Sequence, residues 1–241
     1  MRRLMSGNEA IARGAFEAGV TVGAGYPGTP STEILESLAG YKPDVYCEWS
    51  PNEKVAFEVA AGASLAGARS IVTMKHVGLN VAADPFMTLA YLGVGAGLVV
   101  ICADDPYCHS SQNEQDSRRY AQFAGIPCLD PQNPAEAKEM AAYAFDLSEK
   151  FNIPVLLRPT TRVCHARENI ACGPPLHLDR PARFDKDPRR WCATPQFLRE
   201  LHHLLNEKIG QIAALPEFAP LLTPGDGSHP ATCIIASGVA F

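Results

Sequence analysis

The sequence predicts an α/β fold, a mostly parallel sheet with helices on both faces. Three observations carry that prediction. Short apolar, β-branched runs alternate with longer amphipathic stretches over the first 165 residues. The runs are almost continuously hydrophobic, as strands covered on both faces are. The segments after them are rich in Gly, Pro and hydroxyl residues where the next helix begins.

Asn8 to Gly19 has helical periodicity, and Val20-Thr21-Val22 before Gly23 reads as a short buried strand. Thr29 offers an N-cap, with Pro30 at the first helical position and Glu33 in the first turn, for a helix ending near Gly40. Asp44 to Trp49 alternates as a strand. Ser50 then opens a helix to about Gly67, and Ser70 to Met74 is a buried strand. The apolar stretch Leu89 to Ala103 is broken by Gly93, Gly95 and Gly97 and falls short of the roughly 18 residues of a membrane span. It reads as a helix end, a glycine turn and a strand over Gly97 to Ala103. Further strands are expected at Pro127 to Leu129 and Ile153 to Leu157, with helices at Val81 to Tyr91, Gln112 to Phe123 and Pro134 to Phe151.

After Arg162 the texture changes, with Gly173-Pro174-Pro175, Pro181 and Pro188 interrupting a polar, basic segment. The expected organisation is one domain over 1–165, a linker over 166–230 with one helix from Gln196 to about Ile209, and a strand at Ala231 to Ala236. That strand, within 231–241, reads as the first of a following α/β domain, so the chain reads as a truncated one.

Composition narrows the function classes. With 241 residues, 46% hydrophobic and 20% charged, the chain is long enough for a full core. A net charge of -5 without a run of Lys or Arg gives no electrostatic reason to expect nucleic acid or a membrane as partner. The eight cysteines form no C-x-x-C pair, and several lie in apolar strands as buried thiols. Met1-Arg2-Arg3-Leu4 leads into a helical pattern without an apolar signal core, so a cytoplasmic, reducing compartment is expected.

Gly23-Ala24-Gly25-Tyr26-Pro27-Gly28 matches G-x-G-x-x-G after a strand. A dinucleotide reading conflicts with Tyr26-Pro27, which bends the chain where such a helix should have begun, and with the helix that precedes the first strand. The loop from Gly25 to Thr32 is better read as a strand's carboxyl end turning into a helix N-terminus. Anions are favoured there, and the Thr29 hydroxyl either caps the helix or meets a substrate carboxylate. Ser50-Pro51-Asn52-Glu53 spells a capping box in which Glu53 returns a bond to the Ser50 amide. The small residues Ala60 to Ser64, Ala66 and Gly67 suit close packing of that helix, which would leave a carboxylate at its start poorly hydrated. Lys75 and His76 begin another loop-to-helix junction, suited to an anionic substrate or to proton transfer, with solvated surface as the plainer alternative. The polar stretch Asp104 to Asp116, including His109, follows a strand and so falls on the ligand edge. Its Asp104/Asp105 pair has no spacing that demands a metal.

Three stretches taken together are more specific: Gly25-Tyr26-Pro27-Gly28-Thr29-Pro30-Ser31-Thr32, Glu48-Trp49-Ser50-Pro51-Asn52-Glu53-Lys54, and Lys75 to Asn80 with His109 to Asp116. In this order they resemble the N-terminal domain of the indolepyruvate:ferredoxin oxidoreductase alpha subunits, within the 2-oxoacid:ferredoxin oxidoreductase family, from about Leu4 to His165. The resemblance implies the pyrimidine-binding domain of a thiamine-diphosphate enzyme that oxidatively decarboxylates aryl 2-oxoacids to acyl-coenzyme A with ferredoxin as acceptor. It maps the family's cofactor-activating glutamate, nine residues before a Gly-Ala pair, to Glu53 ahead of Gly62-Ala63. This carboxylate would bond N1′ of the aminopyrimidine and promote loss of the thiazolium C2 proton. Gly25, Tyr26 and Pro27 fall in the cofactor loop, Thr29 at the substrate carboxylate, and Lys75, His76 and His109 in an arylpyruvate pocket.

The family's diphosphate domain, its Mg2+ ligands and its [4Fe-4S] motifs have no counterpart. Gly225-Asp226-Gly227 lacks a following Asn ligand. The resemblance therefore implies a beta subunit, ferredoxin, coenzyme A and a homo- or hetero-oligomer as partners, with no activity for the chain alone. Two alternatives stand beside this reading. One is the pyrimidine-domain chain of a two-chain thiamine-dependent 2-oxoacid decarboxylase, and the other is an inactive binding or assembly fragment.

Overall fold

A computed structural model describes residues 1–221 and 233–240. Its centre is a six-stranded, wholly parallel sheet made of β2 (Val22–Gly25), β3 (Tyr46–Trp49), β4 (Ser70–Lys75), β5 (Leu98–Ala103), β6 (Cys128–Leu129) and β7 (Val155–Leu157), in the order β3-β2-β4-β5-β7-β6. All six residues of β5 are buried, as a central strand covered on both faces requires. A second sheet pairs β1 (Arg2–Ser6) antiparallel with β8 (Arg167–Ala171), in register from Arg2↔Ala171 to Ser6↔Arg167. Neither of its strands was foreseen, because Arg2-Arg3 and Arg167-Glu168 lack an apolar run.

Helices α1 (Gly7–Glu17), α2 (Thr32–Ala39) and α7 (Pro134–Phe151) pack together, while α3 (Glu53–Leu65), α4 (His76–Val81) and α5 (Ala83–Leu92) form another group. The chain steps from β2 through α2 to β3, then back across β2 through α3 to β4. Right-handed crossovers in opposite directions place α2 and α3 on opposite faces. The seams agree. A Cβ on Gly25 would touch Leu35 of α2, while the Ser70 hydroxyl donates to the Ala60 carbonyl of α3 at 2.7 Å. Phe57, Phe86 and Phe145 are fully buried, each contributing roughly 1.5–3 kcal/mol of apolar burial.

The remaining helices are α6 (Arg118–Ala124), α8 (Thr161–His165), α9 (Pro188–Trp191) and α10 (Pro195–Ala213), the last packed on α5. The Pro-rich segment after β8 runs along the amino edge of the sheet. Leu176 N–H donates to the Glu17 carbonyl, Arg180 pairs with Glu149, Arg183 N–H donates to the Ala66 carbonyl, and Arg190 donates to the Val94 carbonyl. It touches the turn before each of β2, β4, β5 and β7.

The strand expected over Val20 to Val22 lies at Val22–Gly25, and the helix expected over Val81 to Tyr91 is divided between α4 and α5. Four further boundaries move, each for a physical reason. Thr29 does not cap α2: Gly28 to Ser31 closes a tight turn, with Ser31 N–H on the Gly28 carbonyl at 2.8 Å, and the helix starts at Thr32. Ser50 does not cap α3, because its N–H is taken by the Gly25 carbonyl at 2.9 Å as the β2–β3 ladder ends; Asn52 is the cap. The helix expected from Gln112 starts at Arg118, since the two aspartates at the end of β5 hold the preceding residues as a loop. Cys233 to Ala236 form no strand, because no strand among the described residues runs beside them to share a ladder. Ala231, Thr232 and Gly225-Asp226-Gly227 lie outside the described residues.

Candidate functional site

The carboxyl ends of β2, β3, β4 and β5 deliver every residue singled out by the sequence to one edge of the sheet. Between β2 and β4 the chain reverses its direction of travel across the sheet, and ligands of open α/β sheets bind at such a point.

Glu53 is the first residue of α3 and is 8% exposed. Asn52 has extended backbone, and its Oδ1 accepts the Val55 N–H at 3.0 Å. Glu53 is thus one residue from the cap rather than three, and the capping box that its spacing suggested does not form. Its carboxylate has no hydrogen-bond partner among the described residues and stands at the positive end of α3. Gly78 of α4 faces it: a Cβ there would lie 2.5 Å from Glu53 Oε1 and 2.9 Å from its carboxyl carbon. Only glycine leaves room for the carboxylate in this position.

The loop after β2 lies alongside. Gly25 is buried, and a Cβ on it would come within 2.6 Å of Thr73 Oγ1, itself buried without a partner. Tyr26, Pro27 and Thr29 are exposed. The loop is pinned beneath by the Asn8 side-chain amide on the Pro30 carbonyl (2.8 Å), and above by the Lys75 stem, whose Cδ a Cβ on Gly28 would meet at 2.9 Å.

Lys75 and His76 are engaged with the protein rather than lying as solvated surface. Lys75 Nζ donates to the Ser110 carbonyl at 2.8 Å. His76 is fully buried, with Nε2 3.0 Å from the Asn113 carbonyl. A carbonyl can only accept, so Nε2 carries a proton, and Nδ1 is buried without a hydrogen-bond partner among the described residues. Both side chains fasten the loop between β5 and α6. His109 is exposed on that loop. Asp104 accepts from Ser117 N–H and its hydroxyl and from Arg158 Nε, while Asp105 accepts from Ser110, Ser111 and Thr161. Protein donors fill both carboxylates, so neither is set up as a metal ligand.

Sequence reasoning did not find Gly78, Asn52 or the clamping role of Asp105. Asn directly before a helical Glu was a legible cap signal, outweighed by the Ser-x-x-Glu pattern. Gly78 carries no local signal, because its importance lies in a side chain 25 residues away. Among the described residues no group of three or more His, Cys, Asp or Glu side chains is placed to hold a metal ion. No described helix is long and apolar enough to cross a membrane.

These features define a class: an α/β domain with a wholly parallel central sheet, a topological switch point between β2 and β4, and a buried carboxylate at the helix start beside it. Residues 13–193 match the family model of pyruvate flavodoxin/ferredoxin oxidoreductases, thiamine-diphosphate-binding, and the chain belongs to that family. It is 51% identical over 218 residues to the indolepyruvate oxidoreductase subunit IorA of Thermococcus kodakarensis, an alignment covering 88% of this chain and 34% of that protein. The IorA of Methanothermobacter thermautotrophicus is 47% identical over 98% of this chain and 38% of its own length. The 2-oxoglutarate synthase subunit KorA of Archaeoglobus fulgidus is 30% identical over 71% of the chain. The chain spans about a third to two fifths of the length of the IorA relatives it matches. Among solved structures, the 2-oxoglutarate:ferredoxin oxidoreductase of Magnetococcus marinus shares the fold, with a TM-score of 0.70 over 91% of this chain and 46% of that one at 15% identity.

Proposed function

We propose that this chain is the pyrimidine-binding part of a thiamine-diphosphate-dependent oxidoreductase that converts aryl 2-oxoacids, indolepyruvate foremost, to acyl-coenzyme A with ferredoxin as electron acceptor. One observation carries the reading. Glu53 is a buried carboxylate at a helix start with its capping duty taken by Asn52, its own oxygens unpaired, and a glycine opposite that leaves it room. The residues fit the cofactor: an aminopyrimidine ring nitrogen can share a proton with a carboxyl group that has no other partner among the described residues.

When bound, thiamine diphosphate supplies the electron-sink chemistry that 2-oxoacid decarboxylation needs. Glu53 would hold the aminopyrimidine ring nitrogen through one shared proton, which its carboxyl group can bring, and low local hydration would strengthen that bond. Gly25, Tyr26 and Pro27 line the ring, Gly25 by letting the strand end pack against Thr73 and Leu35 so that the loop begins there. The Thr29 hydroxyl, exposed at the loop tip, bonds the substrate carboxylate. Lys75 keeps two ammonium hydrogens beyond the one on Ser110, so it adds positive charge beside that carboxylate. His76 and His109 complete the substrate side, His76 by seating the loop that carries His109.

The rest of the enzyme brings the diphosphate domain with its Mg2+, the [4Fe-4S] clusters and the beta subunit, in a cytoplasmic assembly in which this chain alone is inactive. Residues 1–165 serve as the cofactor domain, completed by β8 pairing with β1, and 166–230 as a linker that packs back on it.

The test is a reconstituted complete enzyme supplied with indolepyruvate, coenzyme A and ferredoxin. Indoleacetyl-coenzyme A formed with two ferredoxins reduced per turnover is the expected result. Indoleacetaldehyde released without ferredoxin reduction would identify a simple decarboxylase instead.

A further inference from the structure

The loop between β5 and α6 is tied down at nearly every residue. Asp105, 1% exposed, accepts hydrogen bonds from Ser110 N–H (2.7 Å), the Ser111 hydroxyl (2.8 Å) and the Thr161 hydroxyl (2.8 Å). Burial penalises its charge, yet these donors prevail and hold the carboxyl down at about 2. Cys108 N–H closes back on the Asp105 carbonyl at 3.0 Å, and Tyr107 N–H donates to the Glu114 carboxylate at 2.9 Å. Lys75 and His76 take two more loop carbonyls.

This frame holds Tyr107 and Cys108 in the left-handed region, at φ of 69° and 52°. A bulky residue rarely adopts that conformation and persists in it only where the surroundings over-determine it. The side chain so presented is not used for packing. Tyr107 is 85% exposed, and its ring centroid lies 5.8 Å from that of His109, with the planes inclined at 49°. Two aromatic rings thus stand open to solvent on a rigid, conformationally disfavoured support at the ligand edge of the sheet.

We infer that Tyr107 and His109 form a recognition face for a flat aromatic group, and that Tyr107 sets the preference for aryl over alkyl 2-oxoacids. The inference rests on the proposed function for the identity of the ligand. Tyr107 offers its ring as a stacking surface, His109 closes one side, and Asp105 is a positioning residue that fixes both without touching the substrate.

The test uses the complete enzyme and two non-reacting carboxylates as probes, indole-3-propionate and hexanoate, titrated by calorimetry. Tyr107→Ala is expected to weaken indole-3-propionate about three- to tenfold and to change hexanoate less than about twofold; Tyr107→Phe keeps the wild-type ratio. Asp105→Asn is expected to reproduce the aryl-selective loss, which a general loss of stability would not. The inference is overturned if Tyr107→Ala leaves the ratio of the two affinities unchanged, or if the wild type binds indole-3-propionate no more tightly than hexanoate. Turnover measured in parallel separates the two claims: a ratio that shifts in a protein without 2-oxoacid turnover retains the aromatic face and removes the proposed reaction.

Discussion

At the scale of residues, the account turns on a glutamate and the glycine that faces it. The sequence alone offers Glu53 a structural duty, and that duty is absent because the Ser50 N–H is spent on the Gly25 carbonyl and Asn52 caps the helix. Gly78→Ala tests the room left for the carboxylate. Its Cβ would sit 2.5 Å from Glu53 Oε1 in a helix where alanine is otherwise favourable by up to about 1 kcal/mol. The variant is expected to fold while losing at least tenfold in cofactor affinity, read by titrating thiamine diphosphate into the complete enzyme. Such residues show the limit of local reading. Glu53 was found through three motifs seen together, whereas the partner that gives it space and the residue that frees it are visible only once α3 and α4 are packed.

At the scale of elements, periodicity and breakers were most legible where the chain makes its own structure. Helix α7 runs over Pro134–Phe151 as its sequence predicts, because Asn133 caps it, Pro134 suits the first position and Asn152 ends it in the left-handed region. The loop after β5 misled, since Gln112 to Phe123 has helical periodicity while Asp104 and Asp105 bind its backbone and hydroxyls first. β1 and β8 were illegible because each gains a ladder only from a partner about 165 residues away. The segment after β8 shows how side chains can organise what composition marks as irregular. Glu149 joins Arg69, Arg180 and Gly97 N–H, and despite burial these hold its carboxyl at about 2, against an ordinary value of 4.5. A carboxyl depressed by folding stabilises fully above the ordinary value and loses that contribution as the pH falls toward the folded one. Acid unfolding between about pH 4.5 and 2 is therefore expected to flatten in Glu149→Gln, with neutral stability lower by about 1–3 kcal/mol. Unchanged steepness of the acid transition would contradict the assignment.

At the scale of the whole molecule, the two edges of the sheet divide the work. The amino edge is closed by the segment after β8 through the turns before β2, β4, β5 and β7, whereas the carboxyl edge carries the loops after β2, β3, β4 and β5, with Glu53 and Gly78 facing each other there. Such a division is the general pattern of open parallel sheets, which is why strand-helix alternation alone pointed to the loops at the carboxyl edge. The central claim is that Glu53 serves the cofactor and not the helix. The most direct measurement compares Glu53→Gln with Asn52→Ala in the complete enzyme, reading single-turnover 2-oxoacid decarboxylation and thermal unfolding together. Glu53→Gln is expected to lose at least a hundredfold in rate with stability within about 0.5 kcal/mol of wild type, and Asn52→Ala to lose about 1 kcal/mol while most of the rate remains. A Glu53→Gln enzyme that keeps its full rate and is instead destabilised would contradict the account.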